Sequence, residues 1–512
     1  MIYKKIFSVL IFFTIFSLQV DATDSIVKIS KPNILFIGLD DLRPELNCYG
    51  YKQIHSPNID KIADSGLLFK RAYCQQSVCS PSRISLMTGM RPDSTYCYNL
   101  DSHHRDKNIE VVTLPQHFIE HGYHAVNYGK IYHGHMGKFN DTKSWSELWY
   151  YPPQNYTLNL RGYLNPKNLE YLATHQKPGT NNFTAAATEG EDVADEDYPD
   201  GQTVKTVLEN MPRFKEMNNK GKPFFLAVGF EKPHLPFIAP KKYWDMYDRS
   251  KIEVPSKAEP ENVPEIAMMN WGELRGYVGM PKGKAEMDDE TAKELIHAYY
   301  ACVSYVDALI GKLVQGLKEQ GLYENTIIIL WGDHGWKLGD YGDWCKLTNF
   351  ELDTRVPLII NAPGYRDKGA KTSALVELVD MYPTLCDLAG IPLADHLQGD
   401  SFKPLLENPD KEWKPAAFSQ FPRVNKDDYQ GWTHPNYMGY SMRTDEYRYT
   451  KWIDFETKET VALELYDHTK NSDEMVNVAG KAEYAKIEKA LDAQYEKELK
   501  QAHLQGAKRI KL

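Results

Sequence analysis

The chain has 512 residues, 60 Lys and Arg against 70 Asp and Glu, a formal net charge of -10, and 42 % hydrophobic residues. At about 150 residues per domain that length holds anything from one large domain to three, and a composition 25 % charged and 12 % aromatic excludes wholesale disorder. The acidic balance excludes a general nucleic-acid or polyanion binder, which carries a net basic field, so an anionic substrate has to be drawn in by a local cluster of cations.

Met1 to Ala22 reads as a secretory signal: Lys4 and Lys5 form a basic start, Ile6 to Leu18 an apolar run, and Val20 and Ala22 supply small residues at a cleavage point. The run is short of the roughly 20 residues a spanning helix needs, and no later stretch is long and apolar enough. The expectation is an exported protein, periplasmic or secreted, without a membrane span.

Next come short apolar runs that each end abruptly in polar residues. Asn33 to Gly38 leads into Leu39, Asp40 and Asp41; His124 to Gly129 into Lys130 and then His133; Phe224 to Gly229 through Phe230 into Glu231, Lys232, Pro233 and His234; Thr326 to Trp331 into Gly332, Asp333 and His334. Such runs suit buried parallel strands of an α/β sheet. Helical spacing appears around Pro115 to Gly122, Thr203 to Met217 and Asp289 to Gly321. Open α/β sheets bind ligands beyond the carboxyl ends of their strands, so four strand ends are expected to bring Asp40, Asp41, Lys130, His133, His234, Asp333 and His334 to one edge. The polar, acidic stretch from Pro152 to Gly201 reads as a long surface insertion. The reading divides the chain into an α/β domain over 31–400 and a smaller α+β unit over 401–512. The latter carries strands around Tyr440 to Thr444, Tyr447 to Ile453 and Glu464 to Asp467, and a closing helix near Ala482 to Ala502.

Seven cysteines, Cys48, Cys74, Cys79, Cys97, Cys302, Cys345 and Cys386, show neither CxxC nor zinc-ligand spacing. Cys79 stands in Cys79-Ser80-Pro81-Ser82-Arg83, followed by Thr88-Gly89. Alone it would be a buried thiol before a helix started by Pro81. Asp40-Asp41 alone would be a loop turn, and Lys130 or Lys346 a solvated lysine. Together, three carboxylates at one sheet edge supply the hard oxygen donors that Ca²⁺ or Mg²⁺ takes.

The Cys-x-Pro-Ser-Arg pattern with its trailing Thr-Gly resembles the signature of the type I, formylglycine-dependent sulfatases. Gly129-Lys130-Ile131-Tyr132-His133, Lys232-Pro233-His234-Leu235-Pro236-Phe237 and the segment from Gly332 to Lys346 are similar to the iduronate-2-sulfatase-like branch and its bacterial polysaccharide-desulfating members. The similarity runs from about Lys31 over most of the chain, including Arg355-Val356-Pro357-Leu358 and Met438 to Arg443. It implies an alkaline-phosphatase-like fold: a central mixed, mostly parallel sheet between helices, plus a C-terminal α+β subdomain with a short antiparallel sheet. It also implies that a separate formylglycine-generating or anaerobic sulfatase-maturating enzyme oxidises Cys79 to formylglycine (3-oxoalanine). One Ca²⁺ would be held by Asp40, Asp41, the modified Cys79, Asp333 and His334. Arg83 would hold the ionised diol, Lys130, Lys346 and His234 would contact the sulfate, with His234 as general acid, and His133 would hydrogen-bond the formylglycine. The implied activity is hydrolysis of sulfate esters on oligo- or polysaccharides, such as algal polysaccharide or glycosaminoglycan fragments. Tyr98 to Arg105 departs from that branch, which makes Asp101, His103, His104 and Arg105 the expected specificity contacts. Two other readings are a phosphate-ester hydrolase of the alkaline phosphatase superfamily and a sulfated-glycan-binding protein without turnover. Cys79 beside a single set of hard ligands weighs against the first, and filled catalytic positions weigh against the second.

Overall fold

The computed structural model describes residues 31–107, 111–134, 140–152, 162–175, 184–269, 272–283, 285–366, 369–424 and 435–507. The expected export signal lies outside them. Seven strands form the main sheet: β1 (Asn33–Leu39), β2 (Leu67–Tyr73), β3 (His124–Gly129), β4 (Phe224–Phe230), β5 (Thr326–Gly332), β6 (Arg355–Asn361) and β7 (Ala370–Glu377). Their spatial order is β7-β2-β6-β5-β1-β4-β3, and only β6 runs against the others. β1, β4 and β5 are buried at every position, which is why they read as unbroken apolar runs: in a parallel sheet covered on both faces each residue meets a helix layer.

Alternate residues face opposite layers, as strand geometry requires. Leu35, Ile37, Leu226, Val228, Ile328 and Leu330 pack with the long helix Asp289–Glu319, through residues such as Leu295, Val303 and Ile310, and with Pro57–Asp64 (α1). Ile34, Phe36, Phe225, Ala227, Ile327 and Ile329 pack on the other face with Leu86 and Met87 of Cys79–Thr88 (α2), Phe118, and Leu385 of Met381–Ala389. Register then sets the site. Leu39 lies opposite Phe230 on one side and Gly332 on the other, so Asp40, Glu231 and Asp333 leave the sheet at the same level.

Four strands, β8 (Ala417–Arg423), β9 (Tyr437–Arg443), β10 (Tyr447–Asp454) and β11 (Thr460–Asp467), make an antiparallel sheet in that order. The helix Ala485–Ala507 covers it through Leu491 and Tyr495, against Met442, Tyr449 and Leu465. From Lys31 the chain is one compact unit, this sheet included. Among the described residues no helix is long and apolar enough to cross a membrane.

Two expectations need correction. The stretch from Pro152 to Gly201 is more than a surface insertion: Tyr163, Ala185, Ala187 and Tyr198 are buried in the core, Thr188–Glu189 pairs with Phe237–Ile238, and its last residues start the helix Pro199–Asn219. β2, β6, β7 and β8 were not among the expected strands. β2 and β7 each break their apolar pattern with an exposed lysine, Lys70 and Lys371, and β6 and β8 each contain a proline, which demotes a run read from sequence alone.

Candidate active site

The carboxyl edge of β1, β4, β5 and β3 carries the polar cluster. Asp40 and Asp41 follow β1, and Asp41 sits in the left-handed region at φ 59°, a conformation that Asp tolerates better than most residues and that clusters at functional sites. Its backbone is pinned: Tyr299 Oη donates to the Asp41 carbonyl at 2.8 Å, and Asp41 N donates to Asp333 Oδ1 at 3.2 Å. Cys79 is the first residue of α2, preceded by extended Val78, and all ten residues of that helix are buried. Helix start and strand end are tied by Ser82, whose hydroxyl donates to the Asp333 carbonyl at 2.5 Å.

Around Cys79 Sγ the distances are short. Asp40 Oδ1 and His334 Nε2 lie at 3.3 Å and Lys346 Nζ at 3.8 Å. Arg83, one turn along α2, spends its whole guanidinium here: Nε donates to Asp333 Oδ2 at 2.8 Å, Nη2 to Asp40 Oδ1 at 3.2 Å, and Nη1 to the carbonyls of Lys130 and Ile131 at 2.7 and 2.9 Å. Lys130 Nζ pairs with Asp40 Oδ2, and Lys346 Nζ with Asp41 Oδ1 at 2.6 Å. His234 Nε2 stands 3.8 Å from Asp41 Oδ2 and 3.0 Å from Glu273 Oε1.

Asp40, Asp41 and Asp333 are wholly buried. Burial alone would keep Asp40 protonated, but Lys130, His234, Arg83 and Lys346 overcome it and hold the carboxyl well below its usual range. For Asp41 burial wins, helped by the Asp40 charge and opposed by Lys346, and its carboxyl is pushed up to about 7. Burial, then the Asp40 charge, also pushes the Cys79 thiol well up, so the unmodified side chain is a poor thiolate. Lys130 and Lys346 stay charged, because carboxylates led by Asp40 for the one and Asp41 for the other outweigh their desolvation.

The donor set fits a hard cation. Asp40, Cys79, Asp333 and His334 each bring one donor atom within 4.8 Å of the others, and so do Asp40, Asp41, Cys79 and His234. Asp41 Oδ2 is buried without a hydrogen-bond partner, an acceptor that a bound cation satisfies. Three buried carboxylates in one place otherwise repel one another, and a divalent ion removes that repulsion.

His133 is half-buried in the loop three residues past Lys130. The Tyr98–Arg105 segment reaches the site through the Ser102 carbonyl, which accepts from Ser80 Oγ at 3.4 Å. Within it Asp101 is exposed, while the His103 and His104 rings are buried 4.2 Å apart, and burial together with His103 pushes His104 down to about 3. Arg105 is engaged with both carboxylate oxygens of Asp141, each at 3.0 Å, with Gln116 and with the Val111 carbonyl. Two members of the site carried no sequence signal. Glu273, in a loop beside the short turn Leu274–Gly276, joins His234 to Lys346, its Oε2 3.6 Å from Lys346 Nζ. Asp200 accepts from the backbone N–H groups of Glu231 and Lys232, each at 3.0 Å, and so clamps the loop that carries His234. All seven cysteines are buried.

Comparison with known proteins matches this architecture. The sulfatase family profile covers residues 32–391, and that of the N-sulphoglucosamine sulphohydrolase C-terminal region covers residues 339–501. Mouse (Mus musculus) iduronate 2-sulfatase is 34 % identical over 493 residues, spanning 84 % of this chain and 86 % of its own. A sulfatase of Formosa agariphila is 29 % identical over 481 residues, 91 % of this chain and 86 % of its own. Among solved structures, the phosphonate monoester hydrolase of Agrobacterium radiobacter superposes with a TM-score of 0.73 at 22 % identity, covering 92 % of this chain and 96 % of that one. A structure in complex with its substrate D-glucosamine-2-N,6-O-disulfate gives 0.71 at 22 %, covering 92 % and 98 %. These two likenesses speak for the fold. The family profile spans more than half of the sequence, and a relative one-third identical spans most of both chains; the chain therefore belongs to the sulfatase family and is a hydrolase of sulfuric esters.

Proposed function

We propose that this sulfatase is exported and removes sulfate from oligo- or polysaccharides, with formylglycine made from Cys79 as nucleophile and one Ca²⁺ held by Asp40, Asp41, Asp333 and His334. The observation that carries the reading is the convergence on Cys79 Sγ of Asp40, His334 and Lys346 within 3.8 Å, at a position where the thiol itself is held protonated. The names of the relatives, iduronate 2-sulfatase foremost, support a carbohydrate substrate, and the Lys4-to-Ala22 pattern supports export. The maturing partner is a formylglycine-generating or anaerobic sulfatase-maturating enzyme.

A bound Ca²⁺ would supply Lewis acidity toward a sulfate oxygen and toward the nucleophile. The hydrated aldehyde would supply one hydroxyl to attack sulfur and a second whose deprotonation expels sulfate and restores the aldehyde. The chain's own residues do the rest. Arg83, fixed by four acceptors, holds negative charge at the N-terminus of α2, where the helix dipole adds to it. Lys130 and Lys346 stabilise charge that grows on the sulfate oxygens, and they do so from a buried site where such interactions are strong. His234 is the general acid for the departing sugar oxygen: Nδ1 faces the Leu235 carbonyl at 2.6 Å and Nε2 faces Glu273 at 3.0 Å, and although burial pushes the imidazole below its ordinary range, the Glu273 charge opposes that shift. His133 takes the proton of the second hydroxyl.

The test is a pair of measurements on protein from the native host. Cys79→Ala is expected to abolish sulfate release from an aryl sulfate while keeping the wild-type melting temperature; retained turnover would sink the mechanism. Mass spectrometry of the Cys79 peptide is expected to show aldehyde in place of thiol. A side-by-side assay of an aryl sulfate and an aryl phosphate separates this reading from phosphate-ester hydrolysis.

A further inference from the structure

Glu273 is the most exposed charged member of the cluster. Its side chain is 20 % exposed, against 10 % for His234, 3 % for Lys346 and none for Asp40 and Asp41. It is thus the carboxylate of the cluster that lies nearest to solvent. Its two carboxylate oxygens reach His234 Nε2 at 3.0 Å and Lys346 Nζ at 3.6 Å, the two groups that the proposed function assigns to the sulfate side.

The contacts give this position its consequence. Lys346 Nζ pairs with Asp41 Oδ1 and lies 3.6 Å from Glu273 Oε2, and His234 Nε2 stands closer to Glu273 than to Asp40 or Asp41. Without Glu273, a second anionic group on the same sugar would find those two side chains. With Glu273 present, that second group meets a carboxylate, and like charges at such range repel.

We propose that Glu273 is a specificity-determining residue that selects sulfated sugars bearing hydroxyls, and disfavours those bearing a carboxylate, beside the reacting sulfate. This rests on the carbohydrate-sulfatase reading above and names the substrate class within it. Selection works by repulsion: His234 and Lys346, the groups a sugar carboxylate would seek, are already engaged by Glu273.

The experiment compares a 2-sulfated hexuronic acid with its methyl ester, a pair that differs only in that charge, on matured wild type, Glu273→Gln and Glu273→Asp. Sulfate release gives kcat/KM for each, and competition against an aryl sulfate gives each inhibition constant. Wild type and Glu273→Asp are expected to favour the ester by at least about tenfold, a value between the bulk-water and protein-surface limits for one unit-charge repulsion. Glu273→Gln is expected to bring the ratio close to one. A wild type indifferent to the ester, or a ratio unchanged in Glu273→Gln, overturns the proposal. So does an equal gain for both compounds, which would mark Glu273 as a stand-in for sulfate that any substrate displaces. If aryl sulfate is hydrolysed while neither sugar is cleaved or competes, the carbohydrate reading itself fails and takes this inference with it; the other outcomes leave that reading intact.

Discussion

Arg83 Nη1 donates to the backbone carbonyl of Lys130 at 2.7 Å while Nε of the same guanidinium donates to Asp333 Oδ2 at 2.8 Å. One side chain on α2 thus fixes the ends of β3 and β5 relative to Cys79. The Arg83 side chain is wholly buried, so its charge is bound to its partners by geometry.

Arg83→Lys is the first prediction. An ammonium cannot reproduce a planar fork that bonds two carboxylates and two carbonyls at once. The substitution leaves buried groups short of partners, and a broken buried ion pair costs about 3–5 kcal/mol. Turnover of an aryl sulfate is expected to fall at least a hundredfold, roughly 2.7 kcal/mol in barrier terms, with a lowered melting temperature. A variant with near-normal kcat would show that the guanidinium only packs.

The second prediction concerns Gly129 and Gly229, register partners at the ends of β3 and β4. A Cβ on Gly229 would stand 1.9 Å from the Lys130 carbonyl oxygen, the same atom that Arg83 grips, and Lys130 N already donates to the Gly229 carbonyl at 2.9 Å. Gly229→Ala therefore has to push the Lys130 loop outward. Activity is expected to fall on the order of a hundredfold, since about 1 Å of misplacement has that effect. A control, Gly122→Ala, has no atom within 4 Å of its Cβ, and is expected to keep the site and lose only the stability that its left-handed φ of 91° demands.

These two sites also show what the sequence could convey. Asp40, Lys130, His234 and Asp333 were legible because each closes an apolar run, and parallel strands deliver such residues to one edge whatever the details of packing. Cys79 and Arg83 were legible through a resemblance borne by five adjacent positions. Glu273 was not, because a single acid in a loop after Met268 and Met269 has no periodicity and reaches the site only through the chain's tertiary path. Asp200 lay hidden for the opposite reason: it belongs to a stretch whose acidic composition resembles a solvated insertion, and its burial depends on backbone donors at Glu231 and Lys232 that no pattern announces.

Removing the metal is the third prediction. If the proposed Ca²⁺ is held there, its removal leaves Asp40, Asp41 and Asp333 buried side by side, with Asp41 Oδ2 lacking a hydrogen-bond partner. Treatment with a calcium chelator is expected to abolish turnover and lower the melting temperature, both restored by added Ca²⁺. At a free concentration of 100 times Kd the restored stability is about 2.7 kcal/mol. Asp41→Asn is expected to weaken the Ca²⁺-dependent rise in melting temperature; a chelator-treated wild type with unchanged melting would remove the cation from this site.

The fourth prediction lies in the antiparallel sheet, far in sequence from the catalytic edge. Glu464 on β11 is 3 % exposed, with Trp452 Nε1 donating to Oε1 and Tyr466 Oη donating to Oε2, each at 2.7 Å. Burial outweighs both donors and pushes its carboxyl up to about 7. In the unfolded chain the same group ionises near pH 4.3. Between those values the folded state binds the extra proton, so the stability this group supports is present at low pH and is lost as pH rises through about 7. One proton contributes a slope of about 1.4 kcal/mol per pH unit. Glu464→Gln keeps an acceptor for Trp452 and has no charge to desolvate. Denaturant unfolding at pH 5, 6, 7 and 8 is therefore expected to show a shallower decline in the variant than in the wild type, and greater stability for the variant at pH 8. Parallel curves would mean that Glu464 ionises in the folded protein as it does in the unfolded chain, with its two donors supplying the full compensation for burial.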